Sequence, residues 1–180
     1  MPSGQAHRKL AAATAPLIVL GGWTISGFSF DLETWASIGI VTVGYLMNPV
    51  MLSPDMDLVH SDPSDEWRTL EPLWFVYQGI IHKGGGRNPL SHWPPLSSLL
   101  RVFYLWLVLF IAGAFGIGIL DLVWYGLFEQ VLVPWDWVKM SFQYWAMIFV
   151  FPQFWNLVWG IALGDLLHWG ADISYSFMKK

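Results

Sequence analysis

The 180-residue chain contains no cysteine. That excludes disulfide frameworks, thiolate zinc sites, iron–sulfur clusters and cysteine nucleophiles. Any metal would have to be held by His, Asp, Glu and backbone or water oxygen. Charge is scarce as well: 12% of residues are Asp, Glu, Lys or Arg, about half the usual share in a soluble domain. So few polar groups cannot cover a water-exposed globule. A net charge of −4 offers no basic surface for a phosphate backbone, so nucleic acid is not an expected partner. Also missing are Gly-x-Ser-x-Gly, a Walker loop and His-Glu-x-x-His, which argues against serine hydrolases, nucleoside triphosphatases and zincins.

What is abundant is apolar and aromatic. Hydrophobic residues make up 55% of the chain, with 13 Trp, 12 Phe and 17 Gly, and the mean hydropathy is +0.48. Four stretches carry little or no charge: about 10–30, 34–52, 99–120 and 140–163. Each approaches the roughly 20 residues needed to cross a hydrocarbon core of about 30 Å. A single such run could be a buried helix of a soluble protein; four in one short chain predict an all-α integral membrane bundle of about four transmembrane helices. The length suits one membrane domain over 1–180, with a polar loop at 53–98. Gly39 and Gly44 in the second run, and Gly113, Gly116 and Gly118 in the third, would permit close helix approach.

Four crossings put the N-terminus, the 53–98 loop and the C-terminus on one side. Eight of the nine Lys and Arg fall there, and only Lys139 is opposite. The positive-inside tendency makes that side cytoplasmic, in a bacterial inner or internal membrane, with both termini in the cytoplasm. All five histidines, His7, His60, His82, His92 and His168, fall on the same side, as do Asp55 and Asp57. The expected polar site therefore lies on one membrane face.

Asp55-Met56-Asp57 reads either as a pair of carboxylates for a hard divalent cation or as the capped first turn of a helix after Ser53-Pro54. His82 and His92 bracket Lys83-Gly84-Gly85-Gly86-Arg87, a pliable loop that could serve a metal and an anion, or simply meet lipid headgroups. His168 and Asp172 are four apart and share a helix face, with Asp165 three residues earlier, an arrangement suited to a ligand and an orienting carboxylate or to a solvated helix end. His7, ahead of Arg8-Lys9, reads by itself as ordinary topology signalling. His60 lies in an acidic loop-like stretch and is set aside.

The opening MPSGQAHRKL, LSPDMDL after the second run, IIHKGGGRNPLSHWPPLSSLLRVFYL and the closing GDLLHWGAD resemble a family of uncharacterised bacterial membrane proteins described as metal-binding. That family is similar to inner-membrane proteins classed as metal-dependent hydrolases, and more distantly to zinc-dependent phospholipase C. The resemblance touches nearly the whole chain. It implies a membrane-embedded helical bundle with a site for one or more divalent metals, up to two ions, with His7, Asp55, Asp57, His82, His92, His168 and Asp172 as the ligands. Imidazole nitrogen among those ligands favours zinc or manganese over magnesium.

Two functions are weighed on that basis. One is a metal-dependent hydrolase acting on a phosphoester at the cytoplasmic membrane face, its substrate a phosphorylated lipid or a small phosphoester. Asp57 or Asp172 would be the general base, and Arg87, Lys83 or Arg101 would hold the phosphate. The other is a non-catalytic metal-binding accessory or assembly subunit of a larger membrane complex. Transport is disfavoured, because the spans hold no ionisable residue at depth apart from Arg101 near one end.

Overall fold

A computed structural model describes residues 4–57, 71–81 and 93–178. Among these the protein is all-helical: α1 (Gly4–Ile25), α2 (Leu32–Met51), a 3₁₀ turn (Pro54–Asp57), α3 (Glu71–Ile81), α4 (Leu96–Phe128), α5 (Trp135–Ala146), a second 3₁₀ turn (Met147–Val150) and α6 (Pro152–Met178).

Local chemistry sets the helix ends. α1 stops where Gly27 takes a φ of +69°, a left-handed conformation that costs glycine no side-chain clash. Asp31 then caps α2, accepting from the Thr34 amide at 2.7 Å and from the Thr34 hydroxyl at 2.7 Å. With the Ser29 hydroxyl also donating to it, the Asp31 carboxyl is held down at about 2, because each bond favours the charged form. Pro152 opens α6 and forces Phe151 out of helical conformation, so α5 and α6 meet at a bend of 57°.

Side-chain contacts give the topology. Thr14 bonds Tyr45 and Gly22 abuts Ile38, so α1 and α2 are antiparallel. Phe110 packs on Phe142 and Phe103 on Phe149, which sets α4 antiparallel to the α5–α6 pair. α2 and α6 run parallel and touch through backbone. A Cβ on Gly44 would come 2.5 Å from the Leu157 carbonyl, one on Gly160 would overlap that of Val41, and one on Gly164 would reach 2.5 Å from the Asn48 Cβ. The start of α1, the end of α2, the start of α4 and the end of α6 therefore share one end of the bundle. The apolar core lies near that end, where Leu52, Trp74, Tyr77, Val102, Phe154, Val158 and Ile161 cluster.

Several expectations are corrected. The first helix begins six residues earlier than the 10–30 run and takes His7-Arg8-Lys9 into its opening turns. The 53–98 stretch is not polar loop throughout, since α3 within it is the apolar EPLWFVYQGII. The third run extends past Asp121 to Phe128, making α4 33 residues, about 50 Å long at 1.5 Å per residue. The fourth run is broken at Phe151-Pro152. A Cβ on Gly39, Gly113, Gly116 or Gly118 would meet nothing within 4 Å, so the close approach belongs to Gly44, Gly160 and Gly164. By length and composition, α4 alone among the described helices is apolar enough to cross a membrane, and the bent α5–α6 pair qualifies only when taken together.

Candidate metal centre

Four polar side chains from three segments meet at the shared end. His7 sits one turn inside α1, on the face that also buries Ala11. His168 and Asp172 lie four apart on α6. Asp55 comes from the turn after α2, where Leu52 closes the helix onto Met47 and Asn48 and the Ser53 hydroxyl accepts from the Asp55 amide at 3.3 Å. That turn folds Asp55 back over the end of α6.

His7 Nε2 lies 3.6 Å from Asp172 Oδ1, and His168 Nε2 lies 3.6 Å from both Asp172 Oδ2 and Asp55 Oδ2. The two imidazoles stack with centroids 4.0 Å apart and planes inclined by 19°. Candidate ligand atoms of His7, His168 and Asp172 fall within 4.8 Å of one another. His7 and His168 are 5% and 3% exposed, and the Asp172 and Asp55 side chains 12% and 17%.

Separations of 3.6 Å are too long for direct hydrogen bonds. Two ligands each about 2.1 Å from a tetrahedral ion stand about 3.4 Å apart, so the spacing matches atoms arranged around a cation. The donor set, imidazole nitrogen with carboxylate oxygen, suits zinc or manganese better than magnesium.

Asp165, seven residues before Asp172 on α6, is used differently. It is fully buried, and its two oxygens accept from Arg101 Nη2 at 2.6 and 2.5 Å, from Ser97 and Ser98 hydroxyls at 2.7 and 2.5 Å, and from Asn48 Nδ2 at 2.6 Å. Asn48 also donates to the Ile161 carbonyl at 3.0 Å. This knot ties α2, α4 and α6 together directly behind the histidine cluster. It also removes Arg101 from the residues that could hold a substrate phosphate: the guanidinium is 0% exposed and bound to Asp165.

Of the expected ligands, the protein brings His7, Asp55, His168 and Asp172 together. Asp57 lies in the same 3₁₀ turn as Asp55, but its side chain is outside the described residues, as are His60, His82, Lys83, Arg87 and His92. Sequence reading missed Asn48, Ser97 and Ser98. Asn48 carried a signal, being the one amide side chain in the 34–52 run. So did Gly160-Ile161-Ala162-Leu163-Gly164, whose small residues four apart mark a helix contact face.

Fold and cluster define an all-helical protein with a histidine–carboxylate centre of metal-binding type at one end. The chain belongs to the family described as "Uncharacterized metal-binding protein (DUF2227)", which matches residues 2–180. It is also similar to an "Uncharacterized protein" of Aquifex aeolicus (strain VF5), 31% identical over 141 residues that cover 77% of this chain and 91% of the relative. No solved structure matches it. The family description extends to metal binding, and neither comparison carries the expected likeness to hydrolases or to membrane proteins.

Proposed function

We propose that this protein is a membrane-embedded bundle of four crossings that binds a divalent transition metal at its cytoplasmic face and hydrolyses a phosphoester there. The observation that carries the metal half is the convergence of His7, Asp55, His168 and Asp172 from three segments at separations of 3.6 Å. Membrane residence is supported by α4, whose most apolar stretch is 0% buried, and by exposed side chains such as Phe115, Leu122 and Leu127 along it. A bound divalent ion would supply Lewis acidity, polarising an ester and acidifying water. In this reading Asp57, His82 and His92 complete the ligand set, for one ion or two. Asp172 or Asp57 accepts the proton from the attacking water, and Arg87 holds the phosphate. The water oxygen bonds to phosphorus, the ester P–O bond breaks, and the proton ends on the leaving alcohol.

A second reading is a non-catalytic centre in an accessory or assembly subunit. It is favoured by the same convergence, since an ion joining α1, the 55–57 turn and α6 would staple the bundle end. Metal content, melting temperature and phosphatase and phosphodiesterase rates, measured on wild type, His168→Ala and Arg87→Ala, test both. Hydrolysis predicts that Arg87→Ala keeps metal and melting temperature while losing turnover. A metal-loaded wild type inert toward every phosphoester offered would leave the structural reading. Wild type that retains no zinc or manganese after reconstitution would sink both.

A further inference from the structure

Asn48 is fully buried near the end of α2, and its neighbours set the orientation of its amide. Nδ2 faces three acceptors: Asp165 Oδ1 at 2.6 Å, the Ile161 carbonyl at 3.0 Å and the Leu52 carbonyl at 3.4 Å. Only a donor suits that corner, so the amide oxygen points the other way. Oδ1 has no hydrogen-bond partner among the described residues. A buried acceptor left unpaired costs stability, and a leucine of similar size would avoid that cost. Asn48 is thus a poor choice for filling space alone.

Its contacts fix two segments that each carry a candidate ligand. On α6, Asn48 bonds to Ile161 and Asp165 and packs on Gly164 between them, where a Cβ would come 2.5 Å from Asn48 Cβ and 2.7 Å from its Cγ. His168 lies one turn beyond Gly164, about 6 Å along the helix axis. On α2, the Leu52 amide donates to the Asn48 backbone carbonyl at 3.1 Å. Side chain and main chain of Asn48 therefore both hold residue 52. Ser53 and Pro54 follow directly and are buried, so they pass that position on to Asp55. The outcome is Asp55 Oδ2 at 3.6 Å from His168 Nε2.

We propose that Asn48 is the positioning residue of the metal centre: it clamps the end of α2 to α6, and so sets the Asp55–His168 spacing and the affinity and coordination of the ion between them. This rests on the metal-binding reading above and adds to it a residue that touches neither ligand but acts through the backbone of both.

The test uses the full chain in neutral detergent, titrated with cobalt, whose visible bands report affinity and coordination together. Asn48→Leu should weaken cobalt binding by about 10- to 100-fold, the usual loss when a residue that orients ligands is removed, and should shift the bands. Asp55→Ala should weaken binding as well. Because Asn48 acts through Asp55, adding Asn48→Leu to Asp55→Ala should cost less than about a further threefold. Ile38→Ala, which empties a contact with Gly22 far from the centre on the same helix, is the structural control. It should lower the denaturant midpoint while leaving cobalt affinity within about twofold of wild type. Asn48→Ser keeps one donor in a smaller side chain and should recover part of the affinity that Asn48→Leu loses; it carries the same cycle if the leucine variant does not fold. Wild-type affinity and bands in the folded Asn48 variant, losses that multiply in the double variant, or an equal loss of affinity in Ile38→Ala would each overturn the proposal with the metal centre intact. Wild type that takes up no cobalt would instead remove the reading on which it rests, and the proposal with it.

Discussion

Two carboxylates seven residues apart on α6 have opposite fates. Asp165 is 0% exposed and saturated by one guanidinium, two hydroxyls and an amide, all supplied by the protein. Asp172 stands nearer the surface, facing two imidazoles at 3.6 Å. The first is organised as a structural knot, its two oxygens held by the planar donor fork of a buried arginine. The second belongs to a candidate metal centre, since imidazole and carboxylate both offer lone pairs to a cation. One helix thus carries an acid that holds the fold and a candidate functional acid, and their partners rather than their spacing tell them apart.

The strongest way to break this comparison is to remove Asp165. Asp165→Leu leaves Arg101 charged and buried, which should destabilise the fold by about 3–5 kcal/mol. Denaturant unfolding checks this. The double replacement Asp165→Leu with Arg101→Met should recover most of the loss, and an unrecovered double variant would show that the knot is more than an ion pair.

Asp172→Asn and His168→Ala should behave differently: metal binding falls, while the metal-free protein keeps near wild-type stability. Wild type with metal at about a hundred times its dissociation constant should gain about 2.7 kcal/mol, a gain both variants lose. Thermal unfolding with and without zinc measures it. If Asp172→Asn destabilised the metal-free protein as much as Asp165→Leu, the distinction between the two acids would collapse.

Gly160→Leu should sharpen the picture from the packing side. Its side chain would meet the Val41 backbone, forcing α2 and α6 apart at a cost of about 1–3 kcal/mol or more. Gly113→Leu, with open space around it, should be close to neutral by the same unfolding assay.

The smallest effect lies at the opposite end of the bundle. Asp31 is held at about 2, below its ordinary 3.8, by its Ser29 and Thr34 partners. A lowered carboxyl stabilises the fold fully above about pH 4, and that contribution disappears as pH falls toward about 2. Melting temperature should therefore drop slightly less across that pH window in Asp31→Asn than in wild type. An identical slope would show that the cap contributes nothing measurable.

Part of the candidate site was legible before any fold was known. Charge scarcity and long apolar runs indicated a helical bundle, and the one-sided distribution of His and Asp indicated which end would be polar. The His168–Asp172 pair follows from helical spacing alone. Legibility ended where contacts cross between segments. Asp165 lies as close to His168 in sequence as Asp172 does to within one residue, and nothing local assigns it to Arg101, 64 residues away. Taken alone His7 read as topology signalling, and only the family resemblance named it a ligand, because its stacking on His168 exists only once α1 and α6 meet. Breaks were misread too: Phe151-Pro152 lies within an unbroken apolar run, and hydropathy averages over the kink that proline imposes.

Helicity, apolar character and the capacity to gather imidazoles and carboxylates at one end follow from the chain alone, because composition and helical period are local properties. Which acid became the knot and which faces the histidines was decided in three dimensions. That choice depends on Gly44, Gly160 and Gly164 letting α2 and α6 touch through backbone, which brings Asn48 onto Asp165 and leaves Asp172 at the histidine end of the same helix.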